Sequence, residues 1–374
     1  MPARLNPPFR ADHVGSLLRA PQVLAAREEV AAGEMTPAQL RQVEDEAIAA
    51  MIPRLEDTGL VSITDGEYRR AWFHLDFLQQ LDGVAVTGTI ASSSGSKDTV
   101  GMSPPKVTVT GRLSHTHHIQ VADYEFLRKQ TAQVPKVCIP SPTMAHFRGG
   151  RAGIDIESYP DLDEFFEDLA QCYREEIASL YEAGCRYIQL DDTNLAYLCD
   201  PMMREGVVER GDDPDELPRT YAALINAAIR DVPDDMTTAV HLCRGNYKST
   251  FFASGGYEAV AEVLFTELDV DAFFLEYDDE RSGDFAPLRF VPADKTVVLG
   301  LITSKTPRLE TETELLARIE EASRYVDMAQ LCLSPQCGFA STMEGNRLTE
   351  DEQWAKLRLV VSTAEKAWGS VTAA

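Results

Sequence analysis

The chain has 374 residues, with 35 Lys and Arg against 60 Asp and Glu, and a formal net charge of −25. That excess of negative charge repels a phosphate backbone and argues against nucleic acid as a partner. The hydrophobic fraction of 44% and the charged fraction of 25% are those of a soluble globular protein, and no apolar run approaches the roughly 18 residues of a membrane span.

Taken in order, the chain opens on MPARLNPPFR, which lacks the apolar core of a secretory signal and predicts a cytoplasmic protein. The first periodic segment, EDEAIAAMIPRLEDTGLVSITDGE, reads as a helix ending near Gly59, a strand over Leu60–Thr64 and an acidic loop, Asp65-Gly66-Glu67. Pro53 inside that helix predicts a kink or a break. Residues 83–120, rich in Thr, Val, Ser and Gly, read as an inserted β-hairpin segment. Its SHTHH stretch has no carboxylate or cysteine nearby in sequence and reads as surface histidines on an edge strand.

Then the helix–break–strand unit recurs. In LDEFFEDLAQCYREEIASLYEAGCRYIQLDD the apolar positions Phe165, Leu169, Cys172, Ile177, Leu180 and Tyr181 trace one helix face. Gly184 stops that helix, Tyr187–Leu190 is the strand, and Asp191 and Asp192 follow it. TTAVHLCRGN and KTVVLGLITSK read as buried strands. Between them GYEAVAEVLFTELDVDAFFLEYDD ends its strand on Glu276, and a later strand over Met328–Leu333 precedes Cys337. Alternating α and β elements predict an α/β fold with a parallel sheet, here a single (β/α)8 TIM barrel over residues 1–374. An open doubly wound sheet is the competing architecture, but no GxGxxG follows the first strand.

Seven cysteines, at 138, 172, 185, 199, 243, 332 and 337, form no CxxC pair and no disulfide framework. Cys172 lies on a helix face, Cys185 starts a strand and Cys332 lies within one, so these read as core. His241 and Cys243 are different: two residues apart on a strand, they point to the same side. With Glu276 and Cys337 they put four ligand-type residues at strand ends that a barrel brings to one rim, the set from which a zinc site is built. A closed structural zinc site is the alternative to a catalytic one.

Over nearly its whole length the sequence resembles the catalytic C-terminal barrel of cobalamin-independent methionine synthase, in the family's short single-barrel branch. The motifs that carry the resemblance are ADHVGSLLRA, TDGEYRR, IPSPTMAHFRGG, YIQLDDTNLAY, HLCRGN, FFLEYD and SPQCGF. The resemblance implies Zn2+ held by His241, Cys243, Glu276 and Cys337, with Glu276 as a labile ligand. It implies a homocysteine acceptor whose carboxylate lies near Ser16 and whose ammonium group meets Glu67 and Asp191. Ser141 and Thr143 fall where the family lines its donor site, Trp72 offers a stacking face, and His13 is left unassigned. The donor implied is 5-methyltetrahydrofolate. Where the long enzyme carries Asp-x-His-Ser-Pro, this chain reads Ile302-Thr-Ser-Lys-Thr-Pro307. The proton-donating histidine is thus absent or replaced by Lys305, which keeps methylcobalamin, or epoxyalkane transfer to coenzyme M, as alternatives.

Overall fold

The computed structural model describes residues 6–89 and 105–372. Ten strands are present among them: β1 Ser62–Ile63, β2 Asp82–Thr89, β3 Pro105–Ser114, β4 Val134–Pro135, β5 Val137–Pro140, β6 Tyr187–Asp192, β7 Thr237–Leu242, β8 Ala272–Glu276, β9 Thr296–Ile302 and β10 Leu331–Pro335. Strands β5 to β10 form a six-stranded sheet in sequence order, every neighbouring pair parallel. Strand β1 pairs parallel with β4. Beyond β10 the N-terminal segment continues the pattern: Ala11 bridges Leu333 in parallel, with Asp12 N donating to Leu333 O at 3.0 Å.

The sheet is buried on both faces, as the apolar runs of β7, β8 and β9 require. Tyr187, Ala239, Ala272, Phe274, Val298 and Cys332 join Val14 in one small apolar cluster. The residues between them, among them Ile188, Val240, Phe273, Val297 and Leu331, belong to the large core shared with the helices. Period-two alternation therefore assigns faces along each strand. Asp191, His241 and Glu276 continue the small-cluster face of β6, β7 and β8. Parallel strands deliver all three to one edge of the sheet.

Four expectations are corrected. The helix Pro37–Glu56, opened by a Thr36/Gln39 capping box, runs through Pro53. Pro53 sits in the last turn, where its missing N–H removes a single helical bond. Strand β10 starts at Leu331, because Asp327 caps a short 3-10 turn over Met328–Gln330. Strand β6 extends through Asp191 and Asp192, which pair with His241 and Leu242. Between β8 and β9 the connection holds 3-10 turns and no α-helix.

The inserted segment is an antiparallel pair, β2 with β3, in register from Val84↔Val109 to Thr87↔Lys106, with a register shift before Thr89↔Pro105; residues 90–104 of the expected insertion lie outside the described residues. His115 is not a surface residue: its side chain is only 7% exposed, and Nε2 lies 2.6 Å from Glu176 Oε2. Glu176 comes from a distant helix, so its neighbourhood is invisible in the local sequence. Among the described residues no helix is long and apolar enough to cross a membrane.

Candidate metal centre and adjoining cleft

His241 occupies the penultimate position of β7, and Cys243 follows the strand on the same face. The chain is then tied down by Arg244, which is fully buried. Its guanidinium donates to Glu276 O at 3.1 Å, to the Tyr257 hydroxyl at 2.9 Å and to Gly255 O at 2.9 Å. The loop after β7 and the end of β8 are thereby fixed to each other. Glu276 in turn accepts from Gln336 Nε2 at 3.2 Å. Ser304 orients that amide by donating to Gln336 Oε1 from its N–H at 2.8 Å and its hydroxyl at 2.7 Å. Gly300 is the register partner of Glu276, and a Cβ there would lie 2.7 Å from both Gln336 Cα and Leu275 O.

These constraints gather one ligand atom each from His241, Cys243, Glu276 and Cys337 within 4.8 Å of one another, all four residues buried. The two sulfurs are 3.4 Å apart. Among the described residues, neither ring nitrogen of His241 nor Oε2 of Glu276 has a hydrogen-bond partner, although Arg281 Nη2 lies 3.7 Å from that oxygen. Unpartnered buried polar atoms are costly, and here they converge. Two sulfurs, an imidazole and a carboxylate are a donor set that fits zinc. Electrostatics agree. A hydrogen bond from Cys243 holds the Cys337 thiol well below its ordinary pKa against the cost of burial, helped by His241 and Lys305. The same bond, then burial and the charge of Glu276, push Cys243 well above. Burial works against a charged His241, but Cys337, Asp191 and Glu276 outweigh it and raise its pKa.

The cluster opens on a cleft whose lining includes Ser16, Glu67, Trp72, Asp191, His241, Cys243 and Cys337. Four of the expected substrate contacts therefore share a wall with three of the expected ligands. Glu67 sits at φ 56, with its N–H bonded to Asp65 Oδ1 at 2.8 Å. A non-glycine residue held in the left-handed region marks a position built for more than a turn. Gly15 opposite it allows close approach, since a Cβ there would lie 2.6 Å from Glu67 Oε1 and 2.7 Å from Cys138 Sγ. Ser16 is fixed to the Cys337 loop, its hydroxyl accepting from Ala340 N at 3.3 Å and its carbonyl from Phe339 N at 2.9 Å.

Glu67, Cys138 and Asp191 form a second set of ligand-type atoms with the same 4.8 Å spacing. Here the acids have partners: Arg70 pairs with Glu67, and Gln189 Nε2 donates to Asp191 Oδ1 at 2.7 Å. Burial, then the nearby charge of Glu67, raises Asp191 to about 7. Two acids in one wall suit a cationic ligand group.

The remaining expectations divide. Ser141 and Thr143 are fully buried and turned toward Asp192, to which Thr143 donates; neither is among the cleft-lining residues. Lys305 is not among them either, but it is buried, its Nζ has no hydrogen-bond partner, and its charge reaches both Cys243 and Cys337. His13 is buried with Nε2 3.1 Å from Ser62 O. Gln336, Arg244, Tyr247, His74 and Arg148 were not singled out from sequence. The first two had a signal, each adjoining a ligand cysteine; the others came from loops without periodicity.

Fold and cluster together define an α/β protein with a cluster of metal-ligand-type side chains at one edge of its parallel sheet. The chain matches the family model described as "Cobalamin-independent synthase, Catalytic domain" over residues 9–366, and it belongs to the cobalamin-independent methionine synthase family. It is 50% identical over 363 residues to the uncharacterized protein YxjH of Bacillus subtilis, covering 96% of this chain and 95% of that one. A methionine synthase of Pyrococcus abyssi is 24% identical, with 82% and 79% covered. A solved structure from Listeria monocytogenes, provisionally described as a vitamin-B12 independent methionine synthase, is 40% identical with a TM-score of 0.78, covering 98% and 99%. Membership supports methyl transfer to homocysteine as the activity.

Proposed function

We propose that the chain is one cytoplasmic catalytic domain, a closed (β/α)8 barrel that transfers a methyl group from 5-methyltetrahydrofolate to homocysteine at a zinc centre. Closure is supported by the Ala11–Leu333 bridge on one side of the N-terminal segment and by Ser62 Oγ donating to Asp12 Oδ1 at 2.7 Å on the other. The observation that carries the function is the buried His241, Cys243, Glu276 and Cys337 cluster, with both His241 nitrogens and Glu276 Oε2 unpartnered among the described residues, adjoining the cleft that Glu67 and Asp191 line.

His241, Cys243, Glu276 and Cys337 would hold the zinc. When bound, zinc supplies a Lewis acid that favours the thiolate of an acceptor thiol at neutral pH. Glu67 and Asp191 bind the acceptor's ammonium group, and Ser16 orients its carboxylate end, which fixes the sulfur in place. Gln336 keeps one oxygen of Glu276 occupied, while Arg281 offers that carboxylate a second partner if it swings away. Trp72 presents a ring face to the donor. Lys305 is the group that gives a proton to the departing donor nitrogen, which must be protonated to leave. Coenzyme M, a sulfonate without an ammonium group, would bring a further anion beside Glu67 and Asp191, so the wall favours an amino-acid thiol.

The test is zinc content with a donor screen. About one zinc per chain and methionine formed from homocysteine and 5-methyltetrahydrofolate are expected. Methionine formed from methylcobalamin alone would replace the donor, and no methionine from either would remove the reading.

A pH prediction follows from Asp191, raised to about 7. The carboxylate is ionised above that pH and takes up a proton below it, so affinity for an ammonium ligand falls as pH falls through 7. Methionine, which has no thiol proton, isolates the effect. Its Kd should tighten between pH 6 and pH 8, by at most about tenfold per pH unit for one linked proton, and Asp191→Asn should flatten the slope. A slope unchanged in that variant would assign the proton elsewhere.

A further inference from the structure

His74 lines the cleft and is 2% exposed, yet its Nδ1 has no hydrogen-bond partner among the described residues. It enters a helical turn over Leu75–Leu78 and makes no side-chain cap bond to it. Its ring stands edge-on to Trp72, with centroids 6.4 Å apart and planes at 88°, and against Phe73 at 4.7 Å. The site reading gives it no task. Burial first, then the charges of Arg148 and Arg70, lower its pKa well below 6.5, so the ring is uncharged and offers one N–H donor and one nitrogen acceptor. A buried polar atom without a partner calls for an explanation, and an unpartnered one in a ligand cleft has an obvious one.

Its surroundings select the ligand. Tyr247 lies nearly parallel to Trp72, planes at 9° and centroids 6.5 Å apart. Tyr247 is held there by a tight turn in which Lys248 and Ser249 both have positive φ, 48° and 70°, and Ser249 N is pinned by Asn346 Oδ1 at 3.1 Å. Two successive non-glycine residues in that region are strained, and the surrounding contacts must enforce the geometry. Arg148 brings a guanidinium to the same cleft, in a chain that is otherwise strongly acidic. Parallel ring faces, a hydrogen-bonding edge and one cation are complementary to a flat conjugated heterocycle that carries an acid group.

We propose that His74 reads the methyl donor, its imidazole hydrogen-bonding the polar edge of a flat heterocyclic ring flanked by Trp72 and Tyr247, with Arg148 meeting the donor's acid group. The assignment rests on the methyl-transfer reading. It separates the donor classes, since a small aliphatic epoxide has no ring edge to pair with Nδ1.

The experiment is calorimetric titration of the zinc-loaded full-length protein with 5-methyltetrahydrofolate, and separately with homocysteine. His74→Leu should weaken the folate by about tenfold, the cost of one lost hydrogen bond in a buried site. His74→Gln, which keeps a donor and an acceptor, should restore most of it. Zinc content and homocysteine affinity should stay at wild-type values in both. Unchanged folate affinity in His74→Leu, or parallel loss of homocysteine and zinc, would overturn the proposal, as would a wild-type protein that does not bind the folate. If the folate binds through His74 but no methionine forms, the donor assignment stands and the methyl-transfer reading fails.

Discussion

Cys337→Ala is expected to retain less than about a tenth of the wild-type zinc after dialysis, to lose most methionine formation, and to melt somewhat earlier than the zinc-loaded wild type, because bound metal stabilises the folded state. Cys337 is one of four candidate ligands, and its sulfur lies 3.4 Å from that of Cys243. Removing a sulfur from a four-ligand site opens the coordination shell and also removes the group that holds the neighbouring thiol in place. The prediction gains force from its gradient. Gln336→Leu keeps every ligand but deletes the 3.2 Å bond that orients Glu276, and outer-shell losses of this kind cost about 10–100-fold in metal affinity. Cys332→Ala removes a thiol just as buried, five residues earlier in β10, and should leave zinc untouched. Metal loss that follows this order identifies the site; equal zinc in Cys337→Ala and Cys332→Ala would dissolve it.

What was legible in the sequence follows from what generates each feature. The candidate ligand cluster was legible because strand alternation is rigid: once TTAVHL is a strand, His241 and Cys243 share a face, and Glu276 closes an apolar run of the same kind. Asp191 and Asp192 were located at a strand end but placed outside it, because paired acids read as loop. Their burial depends on Gln189 two residues back, on the amide of Leu195 three residues on, and on Thr143, which only the fold brings to Asp192. The N-terminal segment was legible as a motif carrying Ser16, but its pairing along β10 was not. Arg10-Ala11-Asp12 has no apolar periodicity, and its pairing is supported by long-range bonds to Leu333 and by buried polar groups. Ser141 and Thr143 show the limit of motif transfer: the motif is present, but a 3-10 turn over Pro142–Ala145 points both toward Asp192. His74 shows the other limit, since a lone histidine beside two aromatics reads as core until its missing partner is seen.

The N-terminal segment also gives the largest expected effect on stability. Asp12 is fully buried, and five groups converge on it. Oδ1 accepts from Ser62 Oγ at 2.7 Å, His13 N at 2.7 Å and Lys136 Nζ at 3.3 Å, and Oδ2 from the Tyr187 hydroxyl at 2.9 Å and Phe9 N at 3.3 Å. One carboxylate thus joins β1, the β4–β5 junction, β6 and the N-terminal segment. Lys136 is also buried, with its ammonium 4.1 Å from the Phe274 ring centroid. Asp12→Ala leaves that charge unpaired, and breaking a buried pair by removing one partner costs about 3–5 kcal/mol. In a chain of this size the melting temperature should fall by about 4–6 °C. Asp12→Ala with Lys136→Met should recover a large part of the loss, because removing both partners removes the unpaired charge. If the double variant is no better than Asp12→Ala, the cost lies in the hydrogen bonds that Ser62 and Tyr187 lose, not in the stranded ammonium. The segment that Asp12 anchors carries Ser16 into the cleft four residues later. Asp12→Ala should therefore weaken homocysteine binding as well, whereas a variant that melts early yet binds homocysteine normally would separate the closure of the fold from the placing of Ser16.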